Sequence, residues 1–128
     1  MKKIALLLAA CAALTATPVL ADTAAELSIA QNHAGMAAKA TDISKVQMHL
    51  HHAVNCLVGP GGQGFDAAPG NPCSKAGNGA IPDSMDAAQK EKLQTAVADA
   101  GPGLSTTDLA TAQAAAQKTA DAIGAAAK

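Results

Sequence analysis

The chain has 128 residues, 9 basic against 10 acidic side chains, a single phenylalanine, and neither tryptophan nor tyrosine. That balance excludes the basic, aromatic surface on which nucleic acids stack, and the basic amphipathic face of a membrane-surface helix is missing as well. Alanine dominates, so little apolar surface can be buried per residue, and stability must draw on helix propensity and close helix approach.

Lys2-Lys3 followed by the apolar run Ile4–Leu14 and the small-residue pattern Val19-Leu20-Ala21 predict a signal peptide cleaved after Ala21, hence export. Leu8-Ala9-Ala10-Cys11 also resembles a lipobox, which would attach a lipid at Cys11 and tether the protein to a membrane; only ten residues precede that cysteine, so cleavage after Ala21 is the expected route. The apolar run is too short for a retained transmembrane helix. Removal of residues 1–21 leaves 107 residues, one small domain with seven lysines and a net charge near −3.

Helix 1 is expected from about Thr23 to Ala40, with Leu27, Ala30, Ala34 and Ala37 at helical spacing. Asp42 is a suitable N-cap for helix 2, whose apolar stripe is Ile43, Val46, Leu50, Ala53/Val54 and Leu57 and whose end is marked by Gly59-Pro60. Neither Gly nor Pro separates the two, so one continuous helix is the alternative; a hairpin is expected because a helix of about 35 residues would be long for so small a domain. Residues 59–82 hold seven glycines and four prolines and read as one long loop, with Phe65 and Ile81 as its anchors to the core. Helix 3 is expected after Pro82, capped by Asp83 or Ser84 and ending at Gly101-Pro102. Helix 4 should start at the capping-box-like Ser105-Thr106-Thr107-Asp108, with Leu104 and Leu109 as a hydrophobic staple and a stripe of Leu109, Ala112, Ala116, Ala120 and Ile123. The expected fold is all-α, a small four-helix bundle with a long loop between helices 2 and 3.

Loss of Cys11 with the leader leaves one pair, Cys56 and Cys73. In an oxidising compartment that pair predicts a disulfide, and closing about 17 residues should stabilise the fold by ~3 kcal/mol. The alternative is Cys56 as a free thiolate ligand.

Chemistry concentrates in Met48-His49-Leu50-His51-His52-Ala53-Val54-Asn55-Cys56, which holds three of the four histidines. With Leu50 at the centre of the buried stripe, His49 and His52 share one flank, three residues apart, where they can reach one ion. His51 projects from the other flank, a candidate for a second site, and Met48 from the back. If the chain turns at Thr41-Asp42, His33 of helix 1 lies level with Leu50 and on the same flank as His49, with Met36 one turn nearer the turn as a soft fourth ligand. Three imidazoles and a thioether suit copper, favoured here, or zinc. The lack of Asp or Glu in the cluster argues against calcium, magnesium and di-iron sites.

Plainer roles exist for the same residues. His49 could be a half-buried histidine bonded to a carbonyl, His52 could face the C-terminal dipole of helix 2, and the methionines could fill gaps in the core. Gly59-Pro60-Gly61-Gly62-Gln63-Gly64 fits G-x-G-x-x-G but follows a helix rather than a strand, so it is no dinucleotide fingerprint. A Cys56–His52 nucleophile pair would be consumed by the disulfide, and no enzyme is expected.

His33 in an Ala-rich helix, then Thr41-Asp42, then Val46-Gln47-Met48-His49-Leu50-His51-His52, resembles the small exported histidine-rich metal-binding proteins of bacteria, over about residues 30–58. The resemblance implies a short helical bundle that binds copper and other divalent ions. Having far fewer histidines than that family, this chain has room for one or two sites rather than a high-capacity store. The alternative from another class is a metal-free periplasmic interaction protein whose disulfide-stapled Gly/Pro loop recognises a partner; a third uses the histidines to sense pH.

Overall fold

The computed structural model describes residues 21–128. The expected signal peptide and the lipobox cysteine Cys11 lie outside the described residues, apart from Ala21. Five helices follow: α1 (Thr23–Lys39), α2 (Ile43–Val58), the single turn α3 (Ala80–Asp83), α4 (Ala87–Ser105) and α5 (Leu109–Ala126), with no strand among the described residues. None of these helices is long and apolar enough to cross a membrane.

The first two helices form a hairpin rather than one rod. Ala40 leaves helical geometry at ψ 140°, and the Asp42 carboxylate accepts hydrogen bonds from the Ser44 and Lys45 amides, satisfying donors that a new helix start exposes. Those bonds, with one from the Ser44 hydroxyl, hold the Asp42 carboxyl below its ordinary range. The hairpin packs on α5, which also lies along α4, and α2 touches both.

The core is built from small residues around a few large ones. Leu50, Leu57, Leu93, Ile123, Val46 and Val54 are buried among alanines of α1, α4 and α5. Backbones approach closely where side chains are absent: a Cβ on Gly103 would stand 2.6 Å from Leu50 Cδ1. Three glutamines then close helix ends on neighbouring helices. Gln113 of α5 donates to the Ala40 carbonyl after α1, Gln47 of α2 to the Gly103, Leu104 and Thr106 carbonyls at the end of α4, and Gln89 of α4 to Ala126 in α5. Carbonyls that lack intrahelical partners are thereby paired.

Several expected boundaries move. The stretch 59–82 is not wholly irregular, since Ala80–Asp83 makes one helical turn. The long helix starts at Ala87 with Asp86 as its cap; Asp83 instead turns inward to accept from the Asn78 amide, and Ser84 from the Asp86 amide. That helix also passes through Gly101-Pro102 to Ser105. Proline forfeits one backbone bond, but Gly103 seats the last turn against Leu50 and Ala115, and Gln47 binds its carbonyls. The last helix is capped by Asp108, which accepts from the Thr111 amide and hydroxyl, so Ser105 is no cap. Leu104 and Leu109 both pack on the core, but with Asp108 as N-cap they do not occupy the staple positions.

Candidate metal centre

Cys56 and Cys73 are bonded, with S–S at 2.03 Å, which removes Cys56 as a thiolate ligand. The bond ties the loop 59–79 to the last turns of α2. The neck of the loop is closed by two glycines with positive φ, Gly59 (70°) and Gly79 (116°). A Cβ on Gly79 would stand 2.5 Å from the Gly59 amide nitrogen, so only glycine lets the two strands of the neck meet. Glu26, fully buried in α1, receives the Gly79 amide on Oε1 at 2.7 Å. Burial raises the Glu26 pKa against that hydrogen bond, with Asp83 and Asp22 adding repulsion. Phe65 and Ile81 both pack on the core, as the expected anchors.

Asn55, wholly buried one residue before the disulfide, spends its side chain on this loop. Its amide donates to the Asp66 carbonyl at 2.6 Å and the Gly70 carbonyl at 2.7 Å, and its oxygen accepts from the Asp66 amide at 2.9 Å. The segment 66–70 is thus drawn across the flank of α2 that carries the histidines.

His33, His49 and His52 come together on that flank. Each offers a ring nitrogen, and these three atoms lie within 4.8 Å of one another. Ring centroids are 5.4 Å apart for His33–His49, 4.8 Å for His33–His52 and 5.9 Å for His49–His52. The helical spacing of His49 and His52 makes them neighbours, and the hairpin at Asp42 brings His33 level with both. All three rings are half-buried.

Ring nitrogens differ in what occupies them. His33 Nδ1 and His49 Nδ1 are 3.2 Å apart, a hydrogen bond in which one ring donates and the other accepts. His52 Nε2 donates to the Pro69 carbonyl at 2.7 Å, which leaves its Nδ1 buried without a hydrogen-bond partner. His52 therefore bonds to the loop, not to the C-terminus of its own helix. Burial, then the proximity of His52 and His49, pushes the His33 pKa from the ordinary 6.5 down to about 4. Burial and His52 lower that of His49. Rings kept neutral are the form that ligates metal.

Two nitrogens bound at 2.0–2.1 Å to a tetrahedral ion stand about 3.3–3.4 Å apart, and cis in a square plane about 2.8–3.0 Å. The His33–His49 separation of 3.2 Å is nearer the tetrahedral edge. The widest pair, at no more than 4.8 Å, needs to draw in by at most about 1.5 Å to reach that edge.

Met36, the expected soft fourth ligand one turn from His33, is 43 % exposed, and Met48 is exposed too. His51 turns to the loop on its other side, with Nδ1 3.9 Å from Asp66 Oδ2, and one carboxylate neighbour does not make a second site. No other cluster of three His, Cys, Asp or Glu side chains is close enough to share an ion among the described residues. The Pro69 carbonyl and Asn55 were not foreseen from the sequence; a backbone oxygen carries no residue signature, and only the polar Asn55 beside apolar Ala53, Val54 and Leu57 hinted at a buried role.

Comparison with protein-family models, curated proteins and solved structures finds no match to the chain.

Proposed function

We propose that this chain is an exported metal-binding protein that holds one transition-metal ion between His33 of α1 and His49 and His52 of α2, copper in preference to zinc. The observation that carries the reading is the convergence of three ring nitrogens, from two helices, within 4.8 Å. The His33 and His49 rings, held neutral by burial, and the unpartnered buried Nδ1 of His52 suit ligation better than a solvated face. With nitrogen donors and no thiolate in the set, affinity follows the general order in which copper exceeds zinc. The near-tetrahedral His33–His49 edge accommodates zinc or cuprous ion more readily than square-planar cupric ion, so the margin for cupric over zinc should be narrower than for an unconstrained imidazole set.

The disulfide suits the oxidising compartment to which the N-terminal leader would deliver the chain. The architecture proposed around the site is a four-helix bundle of α1, α2, α4 and α5, with α3 as a turn in the long connection. The loop 59–79 serves this site, since its segment 66–70 is bonded to α2 beside the histidines.

Calorimetric titration of tag-free residues 22–128 with copper and with zinc tests the reading. One ion per chain is expected, with loss of tight binding in His49→Ala/His52→Ala. Unchanged affinity in that double variant would exclude the site.

A further inference from the structure

Deepening the metal-binding reading, on which this inference rests, we propose that Asn55 is a positioning residue of the site: by holding segment 66–70 over α2 it presents the Pro69 carbonyl to His52 Nε2, so that His52 binds the ion through Nδ1. Four observations lead to this. Asn55 uses both amide hydrogens and its oxygen on the two ends of that segment, Asp66 and Gly70, and Pro69 lies between them. The Pro69 carbonyl meets His52 Nε2 at 2.7 Å, and a ring that donates from Nε2 carries its lone pair on Nδ1. That Nδ1 is buried and has no hydrogen-bond partner. Finally, Gly70 (φ 101°) brings backbone close to the ring, a Cβ there standing 3.9 Å from His52 Nε2.

The disulfide alone does not achieve this. It fixes residue 73, four residues beyond Pro69, whereas Asn55 grips the chain on both sides of the carbonyl. A carbonyl partner on the far nitrogen of a ligating histidine sets its tautomer and orientation and raises its basicity, and loss of such a partner typically lowers metal affinity about 10–100-fold. The amide of Asn55 would thus act on the ion through two intermediates, a backbone segment and a ring, without touching the metal.

Imidazole ¹⁵N NMR of the metal-free protein, followed by zinc titration, tests the proposal. In the wild type, His52 is expected as the Nε2–H tautomer. In Asn55→Ala, with the disulfide intact and the helical circular dichroism retained, His52 should become a tautomer mixture and zinc affinity should fall about 10–100-fold. Ile123→Val, a core change on α5, which carries none of the site residues, should lower stability without moving either readout. A wild-type His52 protonated on Nδ1 would overturn the proposal, with no variant required. Unchanged tautomer and zinc affinity in a folded Asn55→Ala would overturn it too, while leaving the three-histidine site standing. If the wild type binds copper but not zinc, the same fall of about 10–100-fold is read with copper; absence of both zinc and copper binding would overturn both readings.

Discussion

The Nδ1 atoms of His33 and His49, on neighbouring helices, are 3.2 Å apart. Two imidazole nitrogens come this close only when one bears the proton and the other accepts it, so the metal-free pair shares a single hydrogen in the position an ion would take. An ion bound through both Nδ1 atoms would require that hydrogen on the far nitrogen of its ring, and its charge would offset the repulsion between the two lone pairs. Replacement of His33 by alanine should lower zinc or copper affinity at least about a hundredfold, more than loss of an outer partner. His51→Ala should leave it within about threefold. Equal losses in the two variants, measured by competition with a chromophoric chelator, would contradict the assignment.

Acid should weaken the metal-free fold. The His33 pKa is about 4 in the folded chain and near 6.5 when unfolded, so between those values the unfolded chain binds more protons. Stability from this group is fully present above pH 6.5 and is lost as pH falls to about 4. His49, shifted in the same direction, adds to the loss. Thermal unfolding in chelator from pH 7.5 to 4 should show Tm declining across this window, with a shallower slope in His33→Gln. An identical slope in that variant would place the acid sensitivity elsewhere.

Removing the Cys56–Cys73 bond releases a loop spanning 17 positions. The chain-entropy effect is about 3 kcal/mol, which for a domain of this size lowers Tm by more than about 10 °C. A Cys56→Ala/Cys73→Ala variant measured by calorimetry or circular dichroism gives the number. A Tm within 2–3 °C of the parent would mean that Asn55 and the glycine neck hold the loop unaided.

The neck itself is sensitive to one methyl group. Gly79→Ala places a Cβ 2.5 Å from the Gly59 amide nitrogen and 2.6 Å from the Val58 carbonyl carbon, at φ 116°. Backbone cannot yield as a side chain does, so a destabilisation of at least about 2 kcal/mol is expected. Gly35→Ala, where a Cβ meets nothing within 4 Å, should be neutral or stabilising. Urea unfolding of the two variants side by side provides the comparison.

What the sequence determined by itself was local. Helical spacing placed His49 and His52 on one flank, Asp42 marked a helix start, Gly59-Pro60 an end, and an even cysteine pair a bridge; each follows from backbone geometry or covalent chemistry within a few residues. Even the level position of His33 needed only a hairpin and a count. Tertiary packing decided the rest. Pro102 stays helical because Gly103 seats its turn on Leu50 and Gln47 binds carbonyls at the end of that turn. Asp83 gives up the cap to Asp86 because Asn78 at the loop end engages its carboxylate, and Ser84 because its hydroxyl is engaged by Asp86 and Gln89. Most of all, the proton on His52 was decided by a carbonyl seventeen positions away, brought there by a buried asparagine. Peptide oxygens are the same in every residue, so only the fold could show which one meets which ring.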